Sequence, residues 1–175
     1  MEQKPASMLK SSLTSGIYIG VALILISVIM YVAGIMFETW AQYISYPILI
    51  LGAVYAQVTY KKSLGGEMAY GKAVGVGVLA LIFASVLSSI YAYVLYTVID
   101  PELIDQIRIM TEQRLVEQGN IPEEQMDQVL EMSMRFQKPA IMAIMGIFGG
   151  ALIGLIVSLI TAIFTKKNPS DEVPA

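Results

Sequence analysis

The residues most suited to chemistry in this sequence are the nine acids of the segment 100–138. Glu124, Asp127 and Glu131 would share one face of a helix, where their oxygens could bind a hard divalent cation such as Ca²⁺ or Mg²⁺. No metal-binding loop motif accompanies them, and acids on an exposed helix are usually solvated. We therefore interpret the three acids as a charged surface, with an external metal-ion sensor as an alternative.

Methionine offers a second metal chemistry, because thioether sulfurs bind Cu(I). Met132 and Met134 form one pair, and Met142 and Met145 form another. The chain has 11 methionines among many apolar residues, and packing by a flexible apolar side chain explains them more simply. We predict no metal ligands.

The sequence contains no enzymatic motif. It has neither cysteine nor histidine, which excludes disulfides, Cys/His zinc sites, thiol catalysis and imidazole-dependent triads. It also lacks a Walker loop, a dinucleotide-binding fingerprint and a GxSxG elbow. The net charge of −3 argues against nucleic acid as a partner, because phosphate binding needs a basic surface. We predict a protein that is not an enzyme and binds no cofactor.

The composition is typical of a membrane protein. Of the 175 residues 56% are hydrophobic and 14% are charged, whereas soluble domains carry about 25% charged residues. Four uncharged runs each exceed the roughly 20 residues that a helix needs to cross a hydrocarbon core. In lipid, the backbone N–H and C=O groups must form hydrogen bonds with one another, so each run predicts a helix. The predicted spans are residues 15–37, 41–60, 73–99 and 140–165.

The predicted fold is therefore all-α: a single polytopic membrane domain over residues 1–175 with four transmembrane helices. Pro47 lies in the first turns of the second span, where a missing backbone donor costs least. A re-entrant or tilted second helix is the alternative. The spans hold no Asp, Glu, Lys or Arg, the usual residues of proton paths, which disfavours a proton-coupled transporter. Gln57 is expected near the inner interface, where water can reach it.

Basic residues predict the orientation of these spans. One set flanks the first, second and fourth spans and the start of the third: Lys4, Lys10, Lys61, Lys62, Lys72, Lys166 and Lys167. The other basic residues, Arg108, Arg114, Arg135 and Lys138, lie in one long loop together with the nine acids. Cytoplasmic loops are rich in Lys and Arg, so both termini are predicted to be cytoplasmic. An aromatic belt would mark the outer interface, formed by Trp40, Tyr43, Tyr46, Tyr91, Tyr93 and Tyr96.

Small residues at helical spacing predict where the spans pack closely. The fourth span has one such row, Gly146, Gly150, Gly154 and Ser158. The third span begins with Gly71 and Gly75, and the first span contains Gly16 and Gly20. Rows of this kind serve both packing within one chain and association between chains. We expect packing within the monomer, with a homodimer through the fourth helix as the alternative.

The segment 100–138 is predicted to form an acidic helical hairpin on the outer surface. Asp100 and Pro101 are typical of a helix start, Gly119 and Asn120 of a helix end, and Pro122 of a second start. Apolar stripes are predicted on the first helix at Leu103, Ile104, Ile107, Met110 and Leu115, and on the second at Met126, Val129, Leu130 and Phe136. Continuous extension of the third and fourth spans is the alternative, against which Pro101 and Pro139 argue.

Two stretches carry a family resemblance. One is the predicted cytoplasmic loop with Leu64-Gly65-Gly66 and Tyr70-Gly71-Lys72-Ala73, and the other is the Asp100-Pro101 start of the acidic segment. With the glycine row and the Lys-Lys tail, the chain resembles a family of small bacterial membrane proteins catalogued as domain of unknown function 4199. The resemblance covers essentially the whole chain. It implies a bacterial inner-membrane location and four spans, and it supplies no catalytic or ligand residue.

These observations predict a bacterial inner-membrane protein with a structural or accessory role. The absence of charge and catalytic motifs in the spans leaves the acidic hairpin as the expected interaction surface. The expected partners are the lipid bilayer and a membrane or extracytoplasmic protein. The alternative from another class is a small-solute transporter or pore formed by oligomers.

Overall fold

A computed structural model describes residues 7–118 and 123–167. Within those ranges the chain is all-helical and has no strand. The helices are α1 (Met8–Val32), α2 (Ser45–Ser63), α3 (Tyr70–Val94), α4 (Leu103–Gln118), α5 (Glu123–Phe136) and α6 (Pro139–Thr165). A 3₁₀ turn, Ala41–Ile44, precedes α2, and a π-helical turn, Leu95–Ile99, extends α3. The predicted all-α class is confirmed.

The described residues form two compact units. The first contains the residues up to Ser88 and those from Ile147 onward, so it holds α1, α2 and most of α3 and α6. The second is Ser89–Gly146 and holds α4 and α5 with the adjoining ends of α3 and α6.

Three helices are long and apolar enough to cross a membrane: Met8–Val32, Tyr70–Ile99 and Pro139–Thr165. They correspond to three of the four predicted spans, and they indicate a membrane protein. The remaining predicted span, 41–60, forms α2. This helix has 19 residues but includes Gln57, Lys61 and Lys62, and it does not reach the length and apolarity of the other three.

The bounds of α1 differ from the predicted 15–37. Ser7 caps the helix by accepting a hydrogen bond from the backbone N–H of Lys10 at 3.5 Å, so the helix includes the polar residues before the apolar run. At the other end Gly34 adopts a φ of +70°, a left-handed conformation that stops a helix. The apolar run therefore continues beyond Val32 outside the helix.

The second helix is continuous, without a re-entrant break between Ser45 and Ser63. Pro47 is its third residue, where a backbone N–H would have no acceptor within the helix, so proline is tolerated there. Tyr55 in this helix packs edge-on against Tyr18 of α1, with 6.4 Å between the ring centroids. The two helices therefore pack directly on each other.

Six of the eleven described core residues of the first unit are alanines. These alanines, all fully buried, are Ala53, Ala56, Ala73, Ala80, Ala84 and Ala162. The exposed side chains of α1 and α6 are large and apolar, among them Leu25, Ile29, Leu152 and Phe164. Small residues inside allow helix backbones to approach, and large apolar residues outside suit a lipid solvent. The hydrophobic effect of water would favour the opposite arrangement.

The second unit contains the two helices of the acidic segment. α4 begins at Leu103 rather than directly after Asp100, because two tight turns come first: the N–H of Leu103 donates to the carbonyl of Asp100 at 3.3 Å, and that of Ile104 to Pro101 at 3.2 Å. The predicted stripe on α4 is confirmed, with Leu103 buried and the other four residues half-buried. α5 contacts α4, and the amide of Gln137 donates to the Thr111 hydroxyl at 2.9 Å.

The stripe on α5 is only partly as predicted. Val129 and Leu130 are half-buried, but Phe136 is exposed, because it lies in the last turn of α5. The side chain of Met126 and the predicted breakers Gly119, Asn120 and Pro122 lie outside the described residues. The acidic helices are separate from the spans, since turns at Pro101 and before Pro139 interrupt the helical backbone.

Candidate functional site

The most highly connected group of polar side chains lies inside the first unit, where α2 meets α6. Gln57 of α2 is fully buried, which corrects the expectation that water reaches it. Its amide nitrogen donates to the backbone carbonyl of Ser158 at 3.3 Å, and its amide oxygen accepts from the Thr165 hydroxyl at 2.9 Å. Burial without these bonds would cost about 1–3 kcal/mol. We call Gln57, Ser158, Thr161 and Thr165 the polar cluster.

The spacing of the α6 residues brings them to one face. Ser158, Thr161 and Thr165 are separated by three and four positions, which places them on adjacent turns of the same side. The Thr161 hydroxyl donates to the Val157 carbonyl at 2.9 Å. The Thr165 hydroxyl has one proton, which it shares between the Gln57 amide oxygen and the Thr161 carbonyl, the latter at 3.2 Å. These bonds to the helix's own backbone hold both hydroxyls in place.

Close approach of α3 completes the polar cluster. A Cβ atom added at Gly77 would lie 2.5 Å from the Ser158 hydroxyl oxygen and 2.8 Å from the Gln57 amide nitrogen. Only glycine leaves space for both. The Ser158 hydroxyl is buried and has no hydrogen-bond partner among the described residues.

One charged group borders the polar cluster. The Lys61 ammonium donates to the backbone carbonyl of Thr165 at 2.8 Å. Thr165 is the last residue of α6, whose final carbonyls have no partner within the helix and carry the negative end of the helix dipole. Lys61 therefore caps α6 from α2.

The loop after α2 adds a second attachment to the end of α6. The N–H of Gly66 donates to the Lys61 carbonyl at 3.0 Å and that of Gly65 to the Lys62 carbonyl at 3.2 Å, which is a Schellman ending for α2. Both glycines have positive φ, +82° and +98°. Met68 then pairs with Lys167 through two backbone hydrogen bonds of 2.9 and 3.1 Å. The Leu-Gly-Gly motif thus turns the chain toward the end of α6.

The row of small residues on α6 faces α3 of the same chain. Within the first unit, an added Cβ at Gly154 would lie 2.9 Å from Leu81 Cβ, and one at Gly150 would overlap Ser85. Ser158 belongs to the polar cluster. Within the second unit, an added Cβ at Gly146 would lie 2.9 Å from the Ser89 hydroxyl.

Of the remaining predicted packing residues, three lie against a neighbouring helix and one does not. On α1, an added Cβ at Gly16 would lie 2.6 Å from the Ala80 carbonyl, and one at Gly20 would lie 2.9 Å from Leu87 Cδ2. An added Cβ at Gly75 would overlap the Met8 side chain. Gly71 has nothing within 4 Å of an added Cβ.

The candidate metal ligands lie on α5 and in the first turns of α6. No group of three or more acids, histidines or cysteines suited to a metal occurs among the residues that the structure describes. Glu131 instead pairs with Arg135 at 2.9 Å on the exposed surface of α5, and the side chain of Glu124 lies outside the described residues. Of the methionines, Met132 and Met145 are exposed, and Met134 and Met142 are half-buried.

Three residues at this site, Thr161, Thr165 and Gly77, were not predicted from the sequence. A signal was available for the threonines, because they continue the row of Ser158 along α6. For Gly77 there was none, because a lone glycine in a helix does not reveal which neighbour approaches it.

A family model matches residues 14–167, which is most of the chain. The chain belongs to the family described as protein of unknown function (DUF4199). The predicted resemblance is therefore confirmed. The DUF4199 match includes α2, the Gly65-Gly66 loop and all of α6, and so contains the entire polar cluster. No curated protein and no solved structure matches this DUF4199 chain.

Proposed function

We propose that this DUF4199 protein spans the bacterial inner membrane four times, with both termini in the cytoplasm, and acts as a non-enzymatic accessory component. Its acidic α4–α5 segment would face the outside and be its interaction surface. The observation that carries the proposal is the convergence of four helix ends in the first unit.

Contacts in that unit place these ends side by side. Met8 packs on Gly75, and the Ser12 hydroxyl donates to the Val76 carbonyl at 3.3 Å, so α1 and α3 begin together. The bond from Lys61 to Thr165 brings the end of α2 to the end of α6. The Met68–Lys167 bridge joins the start of α3 to the same place.

This convergence supports α2 as a fourth span. Since α1 starts and α2 finishes at the same end of the unit, a crossing by α1 would be followed by a return through α2. Its 19 residues rise about 28 Å, close to the ~30 Å hydrocarbon core. An even number of crossings then leaves both termini on one side. The lysines at the shared end favour the cytoplasm for that side.

The character of the polar cluster supports an accessory role rather than catalysis. Its four side chains are neutral amides and hydroxyls, and all but the Ser158 hydroxyl bond within the chain. They hold helices together in the way that polar side chains do within lipid. The charged surface of α4 and α5 is then the surface best suited to a partner.

Topology and interaction can be tested on the same cysteine-free chain. We expect Gln113→Cys, which is exposed on α4, to react with an impermeant thiol reagent in spheroplasts. Ser63→Cys, exposed at the end of α2, should react only after permeabilisation. Labelling of both positions, or of Ser63→Cys alone, would contradict the orientation.

For the interaction, a photoreactive residue at Gln113 should crosslink a specific protein in native membranes. The yield should fall when Glu112 and Glu117 are both changed to Gln. The same probe at Glu67, in the loop after α2, is the matched control. Saturable passage of a solute through proteoliposomes would instead support the transporter alternative.

A further inference from the structure

We propose that the lysines at the shared helix ends of the first unit, with Lys62 and Lys166 foremost, bind the phosphate of anionic phospholipid headgroups. This proposal rests on the membrane location proposed above. It adds a ligand class and a site that the accessory role does not require.

The described part of the shared end is basic. Its described charged residues are six lysines and one acid: Lys10, Lys61, Lys62, Lys72, Lys166, Lys167 and Glu67. Lys61 is engaged with the Thr165 carbonyl. The exposed side chains of Lys62, Lys72 and Lys166 have no partner among the described residues. Their ammonium groups are available to a phosphate.

The backbone around two of these lysines is held in place. Lys62 lies in the last turn of α2, and its carbonyl accepts the N–H of Gly65 in the Schellman ending. Lys166 follows α6 directly, and its N–H donates to the Ala162 carbonyl at 3.0 Å. The bond from Lys61 to Thr165 connects the two segments. Ordered backbones lower the entropy that is lost when lysines bind an anion.

Apolar side chains beside Lys166 favour a lipid over a free phosphate ion. Phe164 is 81% exposed, and Ile163 is 56% exposed, although both lie on the last turn of α6. A phospholipid joins a phosphate to acyl chains, so it can cover these side chains while its headgroup meets the lysines. Basic sites between transmembrane helices on the cytoplasmic side recognise anionic headgroups in this way.

Native mass spectrometry of the full chain in detergent tests the proposal. Phosphatidylglycerol and phosphatidylcholine with the same acyl chains are added in turn, and the bound fraction is measured. We expect retention of phosphatidylglycerol over phosphatidylcholine. A lysine near an anionic surface contributes about fivefold in affinity, so changing both Lys62 and Lys166 to Gln should reduce this preference about 25-fold.

The control is a variant with Arg108 and Arg114 both changed to Gln, which removes the same charge from the exposed surface of α4. It should keep the lipid preference. The single changes Lys62→Gln and Lys166→Gln, each expected to cost about fivefold, provide the measurement if the double variant does not fold.

Three results would overturn the proposal. These are equal retention of the two lipids by the unmodified chain, an unchanged preference in the lysine variants, and binding of inorganic phosphate as tight as that of phosphatidylglycerol, which would indicate a site for free phosphate. The readout is separate from the proposed function: loss of lipid preference leaves thiol labelling unchanged, whereas a wrong topology would appear in the labelling alone.

Discussion

The hydroxyl of Thr165 donates to the amide oxygen of Gln57 across 2.9 Å, so the last residue of α6 is bonded to a buried side chain of α2. These residues are 108 positions apart in the sequence. Between lipid-solvated helices there is little hydrophobic attraction, so hydrogen bonds and close packing hold the helices together. This bond is therefore a principal point at which the stability of the first unit can be tested.

Replacing Gln57 by Leu should destabilise the protein. The change removes two hydrogen bonds between α2 and α6 while keeping a similar volume, and bonds of this kind average about 0.6 kcal/mol in membrane proteins. We expect a loss of about 1–2 kcal/mol in free energy of unfolding, measured by denaturation in mixed micelles. Gln113→Leu on the exposed surface of α4 is the control. Equal losses in the two variants would contradict a role for the buried amide.

Replacing Gly77 by Ala should destabilise the protein, although helix propensity alone would favour alanine. Alanine favours a helix over glycine by about 1 kcal/mol, but here its Cβ would meet Ser158 and Gln57. Overpacking of this kind costs about 1–3 kcal/mol. The thermal midpoint in detergent should fall for Gly77→Ala and not for Gly149→Ala, whose Cβ meets nothing within 4 Å. A stable Gly77→Ala variant would show that α3 approaches the polar cluster less closely.

Replacing Gly66 by Ala should loosen the loop after α2 and the end of α6 together. An L-residue at a φ of +98° is strained by roughly 1–2 kcal/mol, and the loop also pairs Met68 with Lys167. Hydrogen exchange should become faster at Met68 and Lys167. Gly71→Ala, in the open first turn of α3, should leave both amides protected. Faster exchange confined to the loop would indicate that the bridge does not depend on the turn.

Replacing Lys61 by Met should weaken the last turn of α6. The ammonium neutralises the negative end of the helix dipole, an effect worth about 0.3–1 kcal/mol. We expect a loss of that size, with faster exchange of backbone amides near Thr165. Lys62→Met removes the same charge from an exposed neighbouring position and is the matched control. If both variants lose the same stability, the effect is one of net charge and not of the bond to Thr165.

The glycine row of α6 was expected to pack within the monomer, with a homodimer as the alternative. The two can be distinguished by varying the protein concentration in detergent. A leucine at Gly150 would overlap Ser85 of the same chain, so the resulting loss of stability should not change with the protein-to-detergent ratio. If the row formed a dimer interface, the loss of stability would instead increase as the protein-to-detergent ratio rises. Gly149→Leu, on an open position, is the control. Ultracentrifugation of both variants provides the oligomeric state.

The candidate site was less predictable than the spans. Serine and threonine in an apolar helix can bond to their own backbone, so their type does not indicate a partner in another helix. Gln57 illustrates the difficulty: it was expected near the inner interface, where water could reach it, yet α6 and α3 enclose it. Phe136 shows the reverse case, an apolar residue of the predicted α5 stripe that is exposed.

The sequence alone determined the properties that depend on solvent. Long uncharged runs have their lowest free energy in the hydrocarbon core of a membrane, and the helix is the backbone conformation that satisfies its own hydrogen bonds there. Helices, their approximate positions and a membrane location therefore follow from local composition. Gly34 and the Gly65-Gly66 pair act locally as well, because glycine tolerates the positive φ that ends a helix, whatever its neighbours in space. The family membership follows from the same linear pattern.

Only the tertiary structure decided which small and polar residues meet. Gly154 against Leu81, Gly77 against Ser158, and Lys61 on the Thr165 carbonyl all join segments far apart in the chain. Every apolar helix offers several faces of similar hydrophobicity, and lipid does not discriminate among them. The pairing is set by the fit of backbones at contact distance and by the few hydrogen bonds that this fit permits, and neither is a property of one segment.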